Sequence, residues 1–333
     1  MIEPLRVVDM HTGGEPLRIV TAGYPPLPTG TILEKRAFVR DNLDHLRKLL
    51  MFEPRGHFDM YGALLVEPDL PGADLAVLFM HNEGYSTMCG HAIIALGRYA
   101  VDEGLVEKQE PFTTVNIECP CGMVVASVEV KNGRAGAVSF ESVPAFLFAS
   151  DQRIELEGFG EISFDIAYGG AFYALADCRQ FGLEFGRDPA HAFTRAATAL
   201  TERLKTEIPL RHPHHDDLAF LYGSILTDGG EGKTAPTRNV CVFADSQVDR
   251  SPTGSGVTAR LAAMHARGEV GCGEPRKFEG IIGSRFEGRV EKQVKAGTFD
   301  AVTVRVSGRA FYSGRAEFIV EEDDPLSGGF LVR

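Results

Sequence analysis

No run of about 18 apolar residues occurs in this 333-residue chain, so no segment of it is built to cross a bilayer as a helix. Clusters of lysine and arginine are missing too. The formal net charge is −12, from 34 basic against 46 acidic residues, which argues against nucleic acid or an anionic membrane as partner. A local basic pocket stays open. The N-terminus MIEPLRVVDMHTGGEP lacks the basic-then-apolar order of a secretory signal. The six cysteines (89, 119, 121, 178, 241 and 272) form no zinc pattern, and Cys119-Pro120-Cys121 reads more simply as two reduced strand thiols than as a ligand set. Free thiols and no signal fit a cytoplasmic protein. No G-x-G-x-x-G opens a helix after a strand and no Walker A pattern occurs, so nucleotide cofactors have no support.

What the chain does have is length and apolar content, with 44% hydrophobic residues in a chain long enough for two domains. Leu5 to Tyr24 reads as strand interrupted at His11-Thr12-Gly13-Gly14-Glu15-Pro16, where a double glycine marks a bulge or close backbone approach. Thr31 to Met51 reads as one amphipathic helix, Met60–Val66 and Leu75–Met80 as short strands. Ala92 to Val101 is an Ala/Ile/Leu run without a polar face, ending at Gly104, and such a helix should be buried. Strands follow at Val115 to Val130 and Ala137 to Phe140.

The plan then repeats. Asp165-Ile166-Ala167-Tyr168-Gly169-Gly170 echoes Asp9 to Gly14 at an offset of 156 residues. Pro189 to Thr206 takes the place of the first amphipathic helix, and Tyr222–Leu226 and Val240–Ala244 that of the strands. Phe79, Cys89, Gly90, Gly104 and Val106 match Phe243, Thr253, Gly254, Gly268 and Val270 at an offset of 164. Two registers carrying the same order of elements imply two related α/β domains, each wrapped around one buried helix. The boundary is expected near residues 143–155, giving halves 1–150 and 151–310, with the active site between them. Val302 to Val320 holds the late strands.

The start of each buried helix carries the chemistry. Helix N-termini present unsatisfied N–H groups and roughly half a positive charge, which suits a carboxylate, and glycine permits close approach. Gly90 and His91 at one mouth, with Gly254 and Ser255 at the other, are placed to clamp one small carboxylate. The same field lowers the pKa of a thiol from about 8.5, so Cys89 is placed to act as a base. Thr253 occupies the equivalent position with a hydroxyl that does not titrate near neutrality. Asp249 offers a carboxylate to a substrate ammonium. The bland alternatives are a packed cysteine and a plain N-cap. His11 and Glu15 either line the pocket or satisfy a bulge, Tyr168-Gly169-Gly170 is cleft wall or bulge, and His212, His214 and His215 suit a solvated loop better than a metal site.

The stretches Asp9–Arg18, His81–His91, Asp165–Gly170 and Asp249–Gly256 together resemble the proline racemase superfamily, in family order over nearly the whole chain. The resemblance implies a diaminopimelate-epimerase-like fold of two pseudo-symmetric halves, each a sheet or barrel around a central helix, and no cofactor. It implies that the C-terminal strand, 311–333, returns to the first half. It marks Cys89 as proton acceptor and Gly90, His91, Asp249, Gly254 and Ser255 as substrate contacts. Racemases and epimerases of the family carry a second acid/base residue at the other helix mouth; cysteine at 89 with threonine at 253 is the pattern of its 3-hydroxyproline dehydratases. Elimination of water to give Δ1-pyrroline-2-carboxylate through the Δ2 enamine is thus the leading expectation. A 4-hydroxyproline 2-epimerase or proline racemase, and a non-catalytic imino-acid-binding protein, stay open, as does a homodimer.

Overall fold

The computed structural model describes residues 3–321 and 323–332. It is a mixed α/β fold that divides into two compact units, one built from residues 1–138 and 309–333 and the other from 139–308. The division expected near residue 150 is therefore earlier. The physical reason is that strand Phe146–Leu156 pairs along its length with Gly160–Tyr168, which commits it to the second unit.

In the first unit Leu5–Thr12 lies between Ala310–Phe318 and Glu15–Ala22, antiparallel to both. Glu15–Ala22 runs parallel to Gly62–Val66, which is antiparallel to Leu75–Met80. That strand pairs in parallel with Phe112–Cys119, and a hairpin to Gly122–Lys131 follows. The second unit repeats the order. Gly160–Tyr168 lies between Phe146–Leu156 and Phe172–Asp177, and the latter runs parallel to Leu221–Thr227. Thr237–Phe243 is antiparallel to that strand and parallel to Pro275–Glu279, and Arg285–Ala296 and Phe299–Gly308 complete the sheet. Reciprocal backbone bonds between Ala145 and Val302 tie its last strand to the segment before its first. Strand Ala310–Phe318 thus plays for the first unit the part that Phe146–Leu156 plays for the second.

Each sheet surrounds one helix, Gly90–Asp102 or Gly254–Ala266. Ile93, Ile94 and Leu96 in the first are wholly buried, as are Val257, Ala259 and Leu261 in the second. Burial of an aliphatic side chain of that size contributes about 2 kcal/mol relative to exposure. Gly97 lets the first helix approach its sheet: a Cβ there would sit 3.1 Å from Val138 Cγ1 and 3.3 Å from Ala126 Cβ. Gly104 closes the helix at φ +72°, with Leu105 N–H bonded to Ala100 O. No helix of the described residues is long and apolar enough to cross a membrane.

Several sequence expectations need correction. Leu5 to Tyr24 is not one interrupted strand but a hairpin. Gly13 and Gly14 form its two-residue turn between the paired Thr12 and Glu15, at φ +60° and +87°. Thr31 to Met51 is two helices, Ile32–Asn42 and Asp44–Met51, broken at Leu43. Its start falls where expected, with Thr31 and Glu34 making a reciprocal capping box. The late strands at 302–320 split between the units at Gly308/Arg309.

The second double glycine is a turn rather than a bulge. Gly169 and Gly170 fall in the turn between the paired Tyr168 and Phe172, and a Cβ on Gly169 would meet Ser255 O at 2.2 Å and Ala259 N at 2.6 Å. The backbone there rests on the first turns of the buried helix. Gly169→Ala should therefore cost about 3 kcal/mol in urea unfolding, since backbone cannot yield to a methyl at that distance. A loss under about 1 kcal/mol would mean that helix and turn separate freely.

Candidate active site

Cys89 is the N-cap of the Gly90–Asp102 helix, in extended conformation at φ −147°, with Ile93 N–H bonded to its carbonyl. Its side chain does not cap the helix. Instead Sγ lies 3.1 Å from His91 Nδ1, with both residues buried. The His91 ring meets Tyr61 edge-on at 4.9 Å, and the Tyr61 hydroxyl is hydrogen-bonded to Ser86. Thr12 Oγ1 donates to His91 O at 2.8 Å, so the first hairpin also holds this helix mouth. The approach to Cys89 is held from behind: buried Arg47 Nη1 donates to His81 O and Asn82 O, each at 2.7 Å, while its other nitrogens grip Asp44. Sequence reasoning missed Tyr61 and Arg47. Only the Asp44/Arg47 spacing along a helix offered a signal, and it reads equally as a surface pair.

The second mouth differs. Thr253 caps the Gly254–Ala266 helix at φ +62°, ψ +93°, a left-handed conformation that a β-branched residue rarely adopts and that costs ~1–3 kcal/mol. Val257 N–H is bonded to Thr253 O at 2.7 Å, and again the N-cap side chain does not cover the first-turn N–H groups. Asp249 is wholly buried, which raises its carboxyl above the usual range. The Ser251 and Thr253 hydroxyls and the Ser251 N–H, at 2.7 Å, pull it partly back. Of these, Thr253 Oγ1 lies close without a well-aligned hydrogen bond. Ser255 Oγ is 2.7 Å from the Tyr173 hydroxyl. Further along the helix, Thr258 Oγ1 donates to Gly254 O.

Cys89, Gly90 and His91 thus converge in the first unit, and Asp249, Thr253, Gly254 and Ser255 in the second. His11 stacks on Phe311 at 5.5 Å, and Glu15 is wholly buried at the strand start beyond the turn. His212 lies over Tyr168 at 4.9 Å, its pKa lowered to about 4 by burial and by His215 and His214, while His214 and His215 are exposed. Among the described residues no three His, Cys, Asp or Glu side chains are arranged to hold a metal ion. The Cys119-Pro120-Cys121 turn docks through Cys121 N–H on Thr87 O, and burial pushes the Cys119 thiol well up.

A family model described as proline racemase matches residues 7–331. The chain is 57% identical over 326 residues to the trans-L-3-hydroxyproline dehydratase of Saccoglossus kowalevskii, covering 97% of this chain and 100% of that one. It is 54% identical to the trans-3-hydroxy-L-proline dehydratase of Homo sapiens, covering 99% and 95%. A solved hydroxyproline epimerase from Agrobacterium vitis, with bound trans-4-hydroxy-L-proline, matches at TM-score 0.93 and 31% identity over 99% and 96% of the two chains. The chain belongs to the proline racemase family.

The approach to Cys89 is pH-sensitive. His81 Nδ1 accepts the N–H groups of Glu83 and Gly84, so the ring must stay neutral there; burial, then Arg47 and Arg36, lower its pKa from 6.5 to about 3. Below pH 6.5 the unfolded chain takes up a proton that the folded one refuses. The contribution of His81 to stability is therefore full above pH 6.5 and is lost as pH drops toward about 3. His81→Gln should flatten that limb in chemical denaturation between pH 7 and pH 4, and an unchanged slope would remove His81 as its source.

Proposed function

We propose that this chain is a hydro-lyase that removes water from trans-3-hydroxy-L-proline, giving Δ1-pyrroline-2-carboxylate through the Δ2 enamine. The observation that carries the reading is the asymmetry of the helix mouths: a buried thiol against an imidazole at one, a hydroxyl at the other. The dehydratase names of relatives more than half identical over the full chain support the same reading.

Inversion at Cα needs a base on one ring face and an acid on the other, and of the two N-cap side chains only the Cys89 thiol is of a type acidic enough to serve as either. Elimination needs one base and a β leaving group. In the trans substrate the 3-hydroxyl is trans to the carboxylate and so shares a ring face with the α-hydrogen. The Cys89 thiolate, favoured by its helix N-terminus and by His91, takes the α-proton. First-turn N–H groups at Gly90, His91, Gly254 and Ser255 stabilise the charge that develops on the carboxylate. The electron pair forms the Cα–Cβ double bond as the C–O bond breaks. The proton now on Cys89, or one from a water held at His91, leaves with the hydroxyl as water. Asp249 receives the ring ammonium, and Thr253 sets geometry without moving a proton. The enamine then tautomerises to the cyclic imine. No step calls for a cofactor, and six free cysteines suit a reducing, cytoplasmic setting.

The deciding assay offers trans-3-hydroxy-L-proline and reads the cyclic imine by its colour with o-aminobenzaldehyde. Imine formation is expected. No imine together with inversion of 4-hydroxyproline would make the chain an epimerase, and neither reaction would leave a binding protein. Cys89→Ser should lower kcat by about 10³-fold or more; retention of a few per cent of activity would remove the thiolate from the mechanism. Thr253→Cys restores a second titrating group, so deuterium exchange at Cα of L-proline and formation of D-proline should become measurable.

A further inference from the structure

The strained peptide at the second helix mouth is gripped from both sides. Thr253 N–H donates to Ser251 Oγ at 3.1 Å, and the carbonyl of the same peptide, Pro252 O, accepts from Asn239 Nδ2 at 3.0 Å. Asn239 is wholly buried, and its other side-chain atom, Oδ1, accepts from Arg260 Nη1 at 3.0 Å. Arg260 reaches in turn to Thr237 Oγ1 at 2.9 Å, which donates to Asp228 Oδ1 at 2.6 Å, and its guanidinium lies 5.0 Å from the Phe278 ring centroid. The oxygens that accept from Arg260, which are Asn239 Oδ1, Thr237 Oγ1 and, at 3.4 Å, Gly230 O, are all neutral, and Asn239 is the acceptor of Nη1.

That arrangement fixes Asn239 completely. A guanidinium carries only donors, so the atom facing it must be the amide oxygen, and the NH2 group is left facing Pro252 O. The orientation of the Pro252–Thr253 peptide plane is what sets φ at Thr253. A threonine released from its tethers relaxes toward negative φ, which turns that plane and displaces the first-turn N–H groups of Gly254 and Ser255. Among the named residues Ser251 alone would then oppose the relaxation.

We infer that Asn239, oriented by Arg260, is a positioning residue for catalysis: it holds Thr253 in its left-handed conformation and thereby aims the second helix mouth at the substrate. The inference rests on the dehydratase reading for its activity measurement but not for its structural one.

Asn239→Asp changes one atom's role. The new carboxylate keeps the bond from Arg260 and so keeps the fold, but it presents an acceptor to the Pro252 carbonyl in place of a donor. The full-length variant should unfold near the wild-type urea midpoint, lose about 100-fold in kcat for trans-3-hydroxy-L-proline, and react at Cys89 with iodoacetamide at the wild-type rate. Its crystal structure should show residue 253 at negative φ. Glycine holds positive φ without cost, so in a Thr253→Gly background the same change should lower kcat less than about 5-fold. An equal loss in both backgrounds, wild-type kcat in the Asp variant, or residue 253 still near φ +62° in its crystal structure would overturn the inference. Should the Asp variant unfold, Asn239→Ala carries the same comparison across the two backgrounds. A wild-type chain that makes no imine would fail the functional reading alone, because the crystallographic outcome stands without it.

Discussion

A helix buried on nearly every side has one polar outlet, its ends. Along its length each N–H is bonded four residues back, so Ile93 or Leu261 can be enclosed by sheet with no polar group left over. The first-turn N–H groups are exempt from that ladder and must be met by something else. In neither unit does the N-cap residue meet them, because neither the Cys89 nor the Thr253 side chain caps its helix. The enclosed helix is thus both the centre of the core and the source of an oriented set of donors. On the proposed function, fold stability and anion affinity come from the same element.

Buried arginines supply the second theme. Arg18 holds Asp9 and also the carbonyls of Leu50 and Arg55, Arg47 holds the carbonyls of His81 and Asn82, and Arg260 holds Asn239. Removing a guanidinium from water is costly, and burial lowers the Arg260 pKa to about 10, partly countered by Asp228. Such groups are therefore weak sources of stability but firm fixings of backbone, because five donors in a rigid fork reach several carbonyls together. The two mouths use this differently. The approach to Cys89 has ordinary extended backbone at the N-cap and is held through carbonyls several residues upstream. The approach to Thr253 stores strain in the peptide next to the helix and is held at that peptide.

Much of this was legible from the residues. The polar-poor run at 92–101 and the paired offsets at Cys89 and Thr253 located both buried helices and their starts. Strand Arg285–Ala296 was less visible, since its alternation of Phe286, Gly288 and Val290 with charges fades after Lys292. The double glycines looked alike in sequence yet differ in what they serve. Both turn a hairpin, with Gly13, Gly14 and Gly170 at positive φ, but at the second Gly169 also admits a helix by having no Cβ. Sequence offset could not separate these, because glycine answers both demands.

By itself the sequence determined which residues are chemically able: one thiol and one hydroxyl at equivalent helix starts, a nearby aspartate, and no nucleotide motif. These follow from local pattern, where a helix start is set by its own few residues. Tertiary structure decided what those groups touch. His91 lies against the Cys89 sulfur, Tyr61 behind His91, and Asn239 under Pro252, through contacts that for Tyr61 and Asn239 span 13 to 30 residues of chain. Such contacts depend on strand register and on where a buried cation points, and neither is written in any short stretch.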